Sequence, residues 1–112
     1  MNETAKKLSS IKSEIAFYEC CGYEDLILFT RNISRQIVQI YQEYIFNDHF
    51  FKRYIDEVVL KNVIIAEEFV GNLKEMEGKT EFKARSIKYH LNFIIDSFMY
   101  ALVYQENKKN KK

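Results

Sequence analysis

TEFKARSIKYHLNFIIDSFMYALVYQ, residues 80–105, decides the fold. Ile87, Leu91, Ile94, Phe98 and Ala101 recur at three and four residues, the period that lines one side of an α-helix. Thr80 stands where an N-cap belongs, and Gly78 closes the element before it. The whole chain has no proline and only three glycines, Gly22, Gly71 and Gly78. A sandwich or barrel needs far more turn residues than that, so long helices are predicted instead.

Outward from this stretch the same period continues. Leu8, Ile11, Ile15 and Tyr18 mark a first, shorter helix, with Gly22 of CCG placed to cap its C-terminus. YEDLILF restarts helix, and Glu24 and Asp25 suit its N-terminal dipole. Leu26, Phe29, Ile33, Ile37, Ile40 and Tyr44 carry the second stripe to about Phe46. NDH at 47–49 reads as a turn in which Asn47 or Asp48 caps the third helix. That helix runs through Phe51, Ile55, Val58, Val59, Ala66, Phe69 and Leu73 and ends near EMEG. Four helices joined by short turns predict an all-α chain, folded as an antiparallel up-down four-helix bundle over residues 1–106. The basic NKKNKK, 107–112, reads as a disordered tail.

A length of 112 residues sets one domain, and 47% apolar with 15% aromatic residues supplies a core. The formal charge is +1, from 17 basic and 16 acidic residues. Without the four tail lysines the body holds 13 basic and 16 acidic residues, a net −3. A nucleic-acid-binding domain carries a basic excess on its folded part, so strong direct RNA binding is not expected. Cys20 and Cys21 are neighbours, a strained arrangement for a disulfide, and no third cysteine offers a partner. MNETAKKLSS has no apolar signal core and no run nears the roughly 18 apolar residues of a bilayer span. A cytoplasmic location with no membrane partner is expected.

The helices are more apolar than one core requires. With Ile87 at zero and about 100° per residue, Tyr89, Phe93, Tyr100 and Val103 fall opposite the core stripe, with Asp96 in their midst. Ile27, Val38 and Ile45 repeat the pattern on helix two, and Leu60 and Ile64 on helix three. A second apolar face in so small a bundle points to another chain. Tyr89, Phe93, Tyr100, Val103, Ile27, Val38 and Ile45 are therefore the candidate partner interface, the first three its anchors, because Tyr and Phe bring area and Tyr a polar tip. The alternative is scattered surface aromatics. Asn62 projects near the centre of helix three's stripe, as a register-setting amide or a ligand contact.

Catalytic constellations are thin. Arg85 and His90 have the Arg-x4-His spacing of small helical RNA-cutting domains, in which Arg stabilises phosphate charge and His acts at the scissile bond. On a regular helix, however, they diverge by about 140°, which favours a solvated face and a boundary histidine. Neither His49 nor His90 has the Glu-x-x-His pairing of a di-iron bundle. The histidines and cysteines lack zinc-site spacing, Glu67 and Glu68 point to different helix faces, and no glycine-rich phosphate loop exists. No enzyme, no cofactor and no metal site is expected.

YEDLILFTRNISRQIVQIYQ, 23–42, resembles the opening helix of the bacterial four-helix-bundle proteins encoded in ribosomal RNA intervening sequences, which begin with a Phe-Glu-Asp-Leu-like start and end on Ile-Tyr. IIAEEF, 64–69, is similar to their Asn-Ile-Ala-Glu-Gly-Phe segment, and TEFKARSIKYHL to the helix that follows. Glu68 stands where the family has glycine, Ile64 where it has Asn, and this chain has an extra helix before YEDL. The related accessory variability proteins of diversity-generating retroelements share that fold and form ring-like oligomers on a reverse transcriptase and its RNA. The resemblance implies a non-enzymatic, oligomeric bundle associated with RNA or an RNA-bound polymerase. Beside it stand the other readings of the residues: a self-associating interaction protein or accessory subunit, an inhibitor or immunity-type bundle that blocks one target protein, and an RNA-cutting toxin domain.

Overall fold

The computed structural model of the chain describes the backbone of residues 3–44, 49–71 and 80–110. All elements among these residues are helical: α1 (Glu3–Phe17), α2 (Tyr23–Glu43), α3 (His49–Ile55), a π-helical turn (Asp56–Leu60), α4 (Lys61–Gly71) and α5 (Thr80–Asn110). The π turn joins α3 to α4 without a break, so the described residues form four helical rods. α5 runs on to Asn110, past the end near Gln105 that periodicity suggests.

The expected core stripe of α5 is buried throughout, from Ile87 through Leu91, Ile94 and Phe98 to Ala101. Ala84, Ile95 and Leu102 widen it. Leu8, Ile11 and Ile15 of α1 and Leu26, Ile33, Ile37 and Ile40 of α2 meet it in a single core. Thr30 is also buried, its hydroxyl donating to the Leu26 carbonyl at 2.9 Å, a local bond that satisfies it inside the helix.

Gly22 does not cap α1. That helix ends at Phe17, where the Tyr18 N–H turns back to the Ile15 carbonyl at 3.3 Å. Gly22 instead stands at the head of α2 with φ 129°, and its carbonyl accepts the Leu26 N–H at 3.0 Å. Only glycine reaches that backbone region without strain. The connection is held by side chains as well. Tyr18 stacks on Phe29 with centroids 3.6 Å apart, and its hydroxyl donates to Asp25 at 2.7 Å.

The third rod departs most from its expected phase. Phe51, Ile55 and Val59 are buried as anticipated, but beyond them the core residues are Val63, Ala66 and Val70. A regular continuation would have buried Asn62 and Phe69. The cause is the π turn, in which the Lys61 N–H reaches back five residues to the Asp56 carbonyl. One wider turn rotates everything after it relative to what precedes it. Asn62 thereby moves to the boundary, where its amide donates to the Val58 carbonyl. Phe69 becomes 45% exposed. The third stripe's Val58 is only half-buried, and Leu73, Phe46, the Asn47 or Asp48 cap and Gly78 lie outside the described residues.

Candidate interaction surface

Because α5 turns one side wholly to the core, side chains half a turn away have no intramolecular cover. Tyr89 is 84%, Tyr100 69% and Phe93 52% exposed, and Val103 is exposed beside them. The structure adds Phe82, 70% exposed, and Tyr104 to the same side. Phe82 lies ahead of the Ile87 stripe against which the row is read, although its seven-residue spacing from Tyr89 marks it as part of the row.

The α2 members of the expected interface lie elsewhere. Ile27 and Val38 are half-buried and pack against the core, and Ile45 lies outside the described residues. The second contributor is α4. Its phase after the π turn sends Ile64, Ile65 and Phe69 outward. Ile65, Ala66 and Phe69 then form with Ser86, Ile87 and His90 a shallow, mostly apolar groove of about 210 Å³ between α4 and α5. Ile64 falls on the second row that periodicity marks on this helix, whereas Ile65 and Phe69 do not, since their outward turn arises from one wide turn.

Polar anchors fix the geometry of this side. One His90 ring nitrogen lies 3.0 Å from the Asn62 carbonyl, tying α5 to α4. Lys12 reaches the Asp96 carboxylate at 2.6 Å, tying α5 to α1. Lys88 donates to the Tyr18 carbonyl at 3.0 Å, so the α1 terminus is bound to α5 too. Arg85 is exposed, whereas His90 is half-buried and turned to α4. The two are not brought to one site, as the helical wheel indicates.

Ionisable pairs elsewhere serve structure. Hydrogen bonds from the Tyr18 hydroxyl and the Cys21 amide hold the Asp25 carboxyl below the usual aspartate range. Tyr41 donates to Asp56, which also pairs with Lys52 at 3.0 Å, and the Tyr41 bond is the main cause of the lowered Asp56 pKa. Both pairs tie one helix to the next or sit on the π turn. Among the described residues there is no group of three His, Cys, Asp or Glu side chains placed to hold a metal ion. No helix among them is long and apolar enough to cross a membrane. Comparison with family models, curated proteins and solved structures returns no match.

Proposed function

We propose that the chain is an antiparallel up-down four-helix bundle acting in the cytoplasm as a non-enzymatic interaction protein, with the exposed side of α5 and the adjoining face of α4 as its contact surface. The observation that carries this reading is the row Phe82, Tyr89, Phe93 and Tyr100, all more than half exposed on a helix whose other side is core. Large contiguous apolar patches on small proteins mark contact surfaces. The helix directions are supported by the order of contacts. Lys7 pairs with Glu43 while Glu14 accepts from Gln36, Lys12 pairs with Asp96 while Lys88 reaches Tyr18, and Asn62 meets His90.

The surface serves self-association or attachment as an accessory subunit to a larger assembly. The similarity to ribosomal-RNA intervening-sequence bundles supports a nucleic-acid-processing assembly, with an RNA-bound polymerase as a partner. The near-neutral body favours reaching RNA through a protein, not directly. Phe93→Asp combined with Tyr100→Asp is the test. The variant should keep its helical circular dichroism and lose association in size-exclusion chromatography with light scattering. Association equal to wild type in that variant overturns the reading.

A further inference from the structure

The exposed row on α5 has a symmetry of its own. Phe82, Tyr89, Phe93 and Tyr100 are separated by seven, four and seven residues, a spacing that reads the same in both directions about residue 91. Ser86 and Asp96 fill the two gaps, and they too are equidistant from that point. Leu91 itself is buried, so the centre of symmetry on the outer surface lies directly opposite it, between Tyr89 and Phe93. A two-fold interface requires this property, because one surface must complement itself.

We propose that the occupant of this face is a second copy of the chain, its α5 packed antiparallel to the first about a two-fold axis opposite Leu91. The inference rests on the interaction reading above and specifies its partner. In this register Phe82 lies across from Tyr100 of the partner subunit, and Tyr89 across from the partner's Phe93. Ser86, whose hydroxyl donates to the Phe82 carbonyl of its own helix at 3.2 Å, lies across from the partner's Asp96. Every apolar position of the row thus meets an apolar one and both polar positions meet each other. Arg85, exposed and without an ion pair among the described residues, falls one position from the partner's Asp96, whose carboxylate already pairs with Lys12 of its own chain.

Area supports the same occupant. At 150–250 Å² per aromatic side chain, the exposed parts of these four rings offer roughly 550 Å². Ile65 and Phe69, on the α4 wall of the groove, bring this to roughly 750 Å², close to the roughly 800 Å² per partner of a standard interface. The α5 wall of the groove is Ser86, Ile87 and His90, within the stretch of helix that the partner's Phe93 faces in this register. Helices in such a pair cross at about 20° and stay in contact along the whole row.

The register is read by cross-linking full-length chains in a Cys20→Ser, Cys21→Ser background with a short thiol-specific cross-linker. Ser86→Cys chains mixed with Asp96→Cys chains should give a cross-linked dimer at least tenfold faster than either variant alone. In the proposed register two copies of residue 86 are roughly 15 Å apart along the axis, at 1.5 Å rise per residue. Light scattering on the wild-type chain is done alongside. Cross-linking within a single variant that equals the mixture overturns the register. If Phe93→Asp with Tyr100→Asp still dissociates the chain in that case, the interaction face stands. A wild-type chain that stays monomeric at all concentrations overturns the second copy as occupant, while the face stays available to another protein. A dimer that survives the double substitution overturns the face itself, and the functional reading with it.

Discussion

Asp25 shows how one side chain holds a connection. It accepts from the Tyr18 hydroxyl at 2.7 Å and from the Cys21 N–H at 3.1 Å, so it spans the five residues between α1 and α2. Those bonds favour the ionised carboxylate and hold its pKa below the usual aspartate range. A carboxyl whose folded pKa lies below its unfolded value stabilises the fold at pH above the unfolded value. That contribution disappears as pH falls through the folded one. Asp25→Asn keeps an acceptor for Tyr18 but loses the charge. The urea midpoint of wild type should therefore exceed that of Asp25→Asn at pH 7. The gap should close as pH drops below the normal aspartate range. A gap that is the same at pH 7 and pH 2.5 would show that the ionised form has no special role. Gly22, three residues earlier, has its own constraint, since φ 129° is strained for any residue with a Cβ.

At the scale of elements the third rod is the instructive one. α1, the core side of α2 and the whole core stripe of α5 were legible from spacing, because an uninterrupted α-helix keeps its period. Phe51, Ile55 and Val59 were legible for the same reason. Val63 and Val70 were not, because the π turn between Asp56 and Leu60 alters the phase and no residue there announces it. The same turn hid part of the candidate surface by sending Phe69 outward. A pair of substitutions checks this phase. Val70, 1% exposed, should cost about 1–3 kcal/mol as Val70→Ala through lost burial and the cavity left behind. Phe69→Ala, despite removing a far larger side chain, should cost under about 1 kcal/mol when measured in the Phe93→Asp, Tyr100→Asp background, where association does not contribute. Chemical denaturation of both gives the answer. A larger loss for Phe69→Ala would mean that α4 presents Phe69 to the core, as a continuous α-helix would.

For the whole molecule the balance of surface forces decides how association responds to conditions. The ion pairs that link helices, Lys7–Glu43 and Lys12–Asp96, are each about half exposed. Such pairs contribute little and weaken in salt. The proposed contact is different, because its area is aromatic and aliphatic, and apolar burial does not weaken as salt screens charge. Association should therefore persist at 1 M sodium chloride, where contact through the basic NKKNKK segment or through RNA phosphates would fall away. Coupling to folding offers a second handle. A partner that binds only the folded chain raises apparent stability by mass action. For a two-fold pair each tenfold increase in protein concentration should raise Tm by about 3–5 °C. Phe93→Asp with Tyr100→Asp should remove that dependence and leave one Tm at every concentration. If the wild-type Tm is already independent of concentration in high and low salt alike, the aromatic row is not covered by a second copy.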